Sequence, residues 1–278
     1  MDYLDKYLKY LKNKGLNPLT IRNYSFYLKR FFEFGRIKTP KEITLGKIQS
    51  FEKYLEQLQV HYKFLNKSTR SYHLIAIRSF LKFLQFNKIK NCPAAQQVKL
   101  EKLDRRSITL TKIDLERLLE APRKFNNPEI IKSRDKAILE IFFATGLKVS
   151  ELANLKIKNM DLIKGKAIVS RGAFDLSNQA KFWLKDYIQM RSDNLTSLFI
   201  SHDRASKLRN KPLCLSPRSI QRLVGKYAKA SGLTKKITPQ TLRRAFANNL
   251  LKQGADIKEV QKKLGHQSVN TINLIYNN

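Results

Sequence analysis

The chain has 278 residues, 42% hydrophobic and 10% aromatic, which suits one large or two ordinary globular domains and argues against disorder. Fifty-five Lys+Arg against 22 Asp+Glu leave a net charge of +33, an imbalance that points to a polyanionic partner. No run approaches the roughly 20 apolar residues of a bilayer span, and the N-terminus lacks the apolar stretch of a secretory signal, so a cytoplasmic protein with no membrane partner is expected.

Residues 1–103 carry 21 basic and 7 acidic side chains, and the remainder 34 and 15, so the excess belongs to both halves. Cys92 and Cys214 lie far apart, and His61, His73, His202 and His266 form no ligand spacing, which predicts neither a disulfide framework nor a metal.

In chain order, Tyr3, Leu4, Tyr7, Leu8 and Leu11 recur at helical spacing and stop at Gly15. A second helix opens at Asn17-Pro18 and runs to Gly35, a third covers about Leu45 to Gln59, and a fourth starts at Ser68 and carries Tyr72, Ile75, Phe80 and Leu84. Four amphipathic helices joined by short loops make a small bundle. Asn91-Cys92-Pro93 ends it, giving a first domain over 1–100, an aperiodic charged linker over 101–107 and a second domain over 108–278. The second domain opens at Thr111-Lys-Ile-Asp114, a helix start, and helical spacing returns from Arg134 to Ala144. Ala167-Ile168-Val169, between Gly165 and Gly172, predicts a small sheet of two or three strands. Helices follow at 178–190, 216–231, 238–253 and 257–264, so the chain reads as mostly α with one small antiparallel sheet.

Four segments of the second domain stand out. They are Ala144-Thr-Gly-Leu-Lys-Val-Ser-Glu-Leu152, Leu215-Ser-Pro-Arg-Ser-Ile-Gln-Arg-Leu223, Thr238-Pro-Gln-Thr-Leu-Arg-Arg-Ala-Phe-Ala247, and Leu264-Gly-His-Gln-Ser268 followed by Tyr276. In this order they resemble the tyrosine site-specific recombinases of the Xer and phage-integrase type, and the N-terminal bundle resembles that family's core-binding, SAM-like domain. The resemblance implies a two-domain clamp around duplex DNA that assembles as a dimer or tetramer. It implies cleavage and rejoining of strands through a 3′-phosphotyrosyl intermediate, without metal or cofactor, because guanidinium and imidazole groups stabilise the phosphorane-like transition state.

Carried over position by position, the resemblance makes Tyr276 the nucleophile, Arg243 a phosphate-gripping guanidinium and His266 a hydrogen-bond donor to the scissile phosphate. Lys148 stands at the family's first arginine, keeping the charge but not the planar fork, and Glu151 matches a supporting acidic position. Arg171 aligns with the lysine of the family's β-hairpin, with Lys164 and Lys166 as nearby substitutes, and Gln240 stands at a histidine. Tyr276 follows His266 by ten residues, one more than the family's usual spacing. These departures keep a second class open, a relative that only binds DNA as an accessory factor. Expected phosphate contacts are Arg218, Ser219, Gln221 and Arg222 on one helix, and Arg22, Lys29, Arg70 and Arg78 in the bundle. A protein of this kind belongs with the nucleoid.

Overall fold

The structure, a computed structural model, describes residues 2–100, 109–170, 172–202 and 214–265. It divides into two compact units, Met1–Arg105 and Arg106–Asn278. Each has its own apolar core. Among the described residues no helix is long and apolar enough to cross a membrane.

The first unit holds α1 (Asp2–Asn13), α2 (Pro18–Gly35), α3 (Leu45–Gln57) and α4 (Lys67–Phe86). Their apolar stripes meet in one core: Leu4, Tyr7 and Leu11 from α1, Leu28 and Phe31 from α2, Phe51 and Leu55 from α3, and Leu74, Ile77, Phe80 and Leu81 from α4. Of the bundle aromatics, Tyr7, Phe31, Phe51, Phe80 and Phe83 are buried in this core, whereas Tyr3, Phe26, Phe34, Tyr54, Tyr72 and Phe86 are exposed on the helices. Asn17, Thr44 and Asn66 cap the last three helices with side-chain oxygens that accept backbone N–H groups of the first turn.

The second helix ends at Gly35, as the sequence predicts, with the left-handed cap conformation, φ 48°, on Arg36. A Cβ on Gly35 would lie 2.9 Å from Ile37 Cδ1, so a larger residue there would have to displace the end of the Ile37 side chain. The third helix stops at Gln57 instead of Gln59, because β1 (Gln59–Val60) pairs antiparallel with β2 (Lys63–Phe64). The turn between them, His61-Tyr62, has no glycine, proline, Asn or Asp to announce it.

His73 is fully buried on α4. Its Nδ1 meets Thr69 O at 2.9 Å and its Nε2 faces Arg30 Nη1 at 3.3 Å, while Tyr27 stacks beside it with ring centroids 4.3 Å apart. Burial, aided by the Arg30 charge and opposed by the Thr69 hydrogen bond, holds the imidazole below its usual value of 6.5. The unfolded chain therefore takes up a proton, as pH falls through that value, that the native bundle resists. The contribution is present above pH 6.5 and is lost as pH drops toward the depressed folded value. The melting temperature is expected to decline over this window, and less steeply in His73→Gln; parallel declines by calorimetry would contradict the assignment.

The second unit begins with α5 (Lys112–Glu120), whose cap is reciprocal: Thr111 Oγ1 accepts from Asp114 N, and Asp114 Oδ2 accepts from Thr111 N. Next come α6 (Glu129–Thr145) and the short α7 (Val149–Ala153). The antiparallel sheet has the order β3 (Met160–Asp161), β4 (Lys166–Val169), β5 (Gly172–Asp175), with Ala167 paired to both Met160 and Phe174. Four further helices are described: α8 (Asn178–Gln189), α9 (Pro217–Ala230), α10 (Pro239–Lys252) and α11 (Ile257–Leu264). The architecture is the expected one, mostly helical with a small antiparallel sheet.

α6 is the central helix, packed against α8 and α10 and buried nearly all round. Its buried charges are compensated in place. Arg134 bonds Asp135 and the carbonyl of Ile200, Asp135 Oδ2 accepts from the Tyr227 hydroxyl at 2.7 Å, and Lys136 reaches Glu120 and Glu140 at 2.8 Å each. Burial and the facing Asp135 carboxylate push the Tyr227 phenol far above its usual value. Tyr227→Phe removes that donor from a buried carboxylate oxygen. The expected cost is about 1–3 kcal/mol, or about 2–4 °C in Tm per kcal/mol for a domain of this size. A Phe variant melting with the wild type would contradict this account.

Candidate functional site

Three of the four motifs of the second unit meet at one concavity. α6 ends at Gly146, whose φ of 56° and a Cβ position only 2.2 Å from Phe246 Cδ1 both exclude a side chain. The chain then turns through Leu147 to Lys148, the N-cap of α7, where Glu151 Oε2 accepts the Lys148 backbone N–H at 2.7 Å. The supporting role expected of Glu151 is thus exerted through the backbone. Glu151 holds the backbone that presents Lys148, and the Lys148 side chain is exposed.

α9 is amphipathic in the strict sense. Ile220, Leu223, Val224 and Tyr227 are buried, whereas Arg218, Gln221, Arg222 and Gly225, at i, i+3, i+4 and i+7, face the concavity. Pro217 opens this helix at its first position, where its missing N–H costs nothing. Ser219 is engaged in the cap: its N–H donates to Ser216 Oγ at 3.1 Å. α10 starts the same way, with Thr238 as cap and Pro239 next, and places Gln240 and Arg243 one turn apart.

The resulting cleft has a volume of about 730 Å³. Lys148, Arg218, Arg222, Lys236 and Arg243 line it together with Gln221 and Gln240, and among the described residues no carboxylate lines it. These cations, two of them on α9 and the others from three further segments, with the N-terminal end of α10 beside them, make a field suited to an anion such as a phosphodiester. Lys236 is an addition to the residues picked out from sequence. Its only signal there was a basic pair, Lys235-Lys236, just ahead of Thr238-Pro239.

Arg243 is 2% exposed. One guanidinium nitrogen donates to Gly146 O at 2.6 Å and another to Leu264 O. It thereby ties the turn before Lys148 to the end of α11, immediately ahead of Gly265 and His266. Phe246 and Ala247 of α10 pack with Val260 and Leu264 of α11 and fix the same junction from its apolar side. His266, Tyr276 and Arg171 lie outside the described residues, and so does the loop 203–213. Of the two substitutes for Arg171, Lys166 lies 3.9 Å from Asp175 across the β4–β5 pair, while the backbone N–H of Lys164 donates to Asp161 in the β3–β4 turn.

In the first unit Arg22 and Lys29 are exposed on α2, two turns apart. Lys29 borders a second cleft of about 610 Å³ whose charges are mixed, with Asp5, Glu33, Arg36 and Lys38. Arg70 pairs with Glu56 at 2.8 Å, and Arg78 is half-buried.

Comparison with known proteins places both units. The model described as the phage integrase family matches residues 109–278, and the one described as the phage integrase N-terminal SAM-like domain matches residues 4–88. Tyrosine recombinase XerC of Thermodesulfovibrio yellowstonii is 33% identical over 280 residues, covering 97% of this chain and 89% of that protein. Tyrosine recombinase XerA of Pyrococcus horikoshii is 31% identical over 279 residues, covering 97% and 87%. Among solved structures, a XerA recombinase aligns over 100% of this chain and 93% of its own, at 25% identity and a TM-score of 0.52. A lambda integrase dimer bound to a COC′ core site aligns over 97% and 96%, at 20% identity and a TM-score of 0.69, a likeness of fold. This chain belongs to the phage integrase family, the tyrosine recombinases.

Proposed function

We propose that this chain is a site-specific recombinase that cuts and rejoins duplex DNA through Tyr276, forming a 3′-phosphotyrosyl link and releasing a 5′-hydroxyl. The observation that carries the assignment is the cleft that gathers Lys148, Arg218, Arg222, Lys236 and Arg243, with no carboxylate among its described lining residues. In this reading Lys148, Arg243 and His266 contact the scissile phosphate and offset the charge of its pentacoordinate transition state, with no metal required. Gln240 donates a hydrogen bond but cannot carry a proton near neutral pH. Protonation of the leaving oxygen needs a cation that can give up its proton; a guanidinium such as that of Arg171 hardly ever does, and Lys164 and Lys166 are the nearby substitutes. Arg218, Gln221 and Arg222 set the register of the duplex on α9 by gripping its backbone.

Cleavage conserves the energy of the broken bond in the tyrosyl ester, so resealing needs no nucleotide cofactor. Exchange between two DNA sites calls for several protomers on DNA, and a protein acting in this way resides in the cytoplasm with the nucleoid. A binding-only accessory role has no observation in its favour.

The test uses a nicked suicide duplex, on which a covalent intermediate cannot religate. Digestion of the trapped complex and mass mapping are expected to locate the DNA on residue 276. Attachment elsewhere, or no covalent complex on a duplex the protein demonstrably binds, would refute the assignment.

A further inference from the structure

The β1–β2 hairpin of the first unit buries little of its aromatic surface. Tyr62 at its tip is 99% exposed and Phe64, on the second strand, 63%. Both residues of the turn hold left-handed backbone, His61 at φ 51° and Tyr62 at φ 62°. Tight antiparallel hairpins require that conformation, but they favour Asn, Asp or Gly there because a branched or bulky side chain crowds its own backbone. A tyrosine with almost no contact to its own chain, kept where a smaller residue would fold better, is explained by a contact made outside the chain. The ribbon is anchored at its base: Gln59 pairs with Phe64, Val60 with Lys63, and Leu65 N–H donates to Leu58 O at 3.1 Å. Two residues beyond Phe64, Asn66 caps α4.

The charge of this stretch selects the partner. Residues 57–69 contain Lys63, Lys67 and His61 but neither Asp nor Glu, in a unit whose basic residues already outnumber its acidic ones threefold. A second copy of the chain would bring like charge to the same place, whereas a polyanion would complement it. A two-stranded ribbon also has the width the DNA major groove admits. A tyrosine ring offers an apolar body for bases and sugars with a hydroxyl that can stay wet.

We propose that the hairpin 59–64 is a DNA-contact element, entering a groove of duplex DNA with the Tyr62 ring against bases or deoxyriboses and the Lys63 ammonium on a flanking phosphate. This rests on the DNA-binding function proposed above and adds to it a contact that the four motifs of the second unit do not contain.

The experiment measures binding of the full-length chain to a short labelled duplex of mixed sequence across a salt series. Tyr62→Ala is expected to weaken binding about tenfold with the salt slope unchanged, since apolar contact of the ring with base edges and deoxyriboses, rather than ion release, is lost. Lys63→Ala is expected to reduce the slope by about one. A Tyr62→Trp probe, in a Trp183→Phe background that removes the single native tryptophan, is expected to change emission when duplex is added. Residue 62 is so exposed that its variants should melt with the wild type, which separates lost contact from lost fold.

Wild-type affinity and slope in both alanine variants, with silent tryptophan emission, overturn the inference. So does loss of self-association in Tyr62→Ala without DNA, which would assign the hairpin to a second copy. Failure of the wild type itself to bind duplex would instead strike the functional proposal, and this inference with it.

Discussion

The Tyr276→Phe variant is expected to form no covalent DNA complex on a suicide duplex, a loss of at least about ten-thousand-fold in cleavage, with duplex affinity within about twofold of wild type. The expectation comes from the motif, and the other tyrosines of the second unit are poor alternatives. Three tyrosines, Tyr187, Tyr227 and Tyr276, lie in the second unit. Tyr187 and Tyr227 are fully buried. The Tyr187 oxygen accepts from Ile200 N and also meets His202 Nε2, each at 3.2 Å, and the Tyr227 hydroxyl donates to Asp135. Burial raises the pKa of both phenols, so neither is poised to ionise and attack. Removing one oxygen from residue 276 leaves the cationic cleft intact, which is why binding should survive. A Phe variant that still forms the complex would move the nucleophile elsewhere, and equal loss of binding would mean that residue 276 is needed to hold DNA.

Arg243→Ala is expected to fail twice, in chemistry and in stability. The guanidinium lines the cationic cleft and at the same time donates to the carbonyls of Gly146 and Leu264. Truncation leaves two buried acceptors without these donors, at about 1–3 kcal/mol each. The second unit should therefore melt several degrees lower. Cleavage should fall by about a thousandfold, the usual scale for losing one preorganised donor to a transition-state oxyanion. Arg243→Lys separates the two effects. A single ammonium retains the charge but cannot span two carbonyls set apart by the width of the fork, so stability should be only partly restored while cleavage stays low. Calorimetry on both variants beside the suicide-substrate assay decides the matter; full stability in Arg243→Ala would show that the two carbonyl bonds contribute nothing.

Lys148 shows how far reading by motif reaches. Its place after Thr145-Gly146-Leu147 marks it as the counterpart of an arginine, and that much is local. That Glu151 acts on the Lys148 backbone, not on its ammonium, became visible only with the cap geometry. Lys236 is the converse case: nothing in its neighbours distinguishes it from Lys235, yet Lys236 lines the cleft. The charged run Arg134-Asp135-Lys136 looks like a solvated helix face, but it is buried because α5, α8, α9 and the 198–200 segment close over α6 and supply partners.

Legible in the residues alone were the main helices, the position of the second-unit sheet, the basic character of both halves and the family motifs. Each of these is set by interactions within a few residues or by composition. Tertiary structure alone decided which cations face one cleft, which carbonyls hold Arg243, and that an unsignalled turn lifts Tyr62 into solvent. Burial, hydrogen-bond partnership and field strength depend on groups up to about a hundred residues apart, as the span from Gly146 to Arg243 illustrates, and no local pattern encodes them.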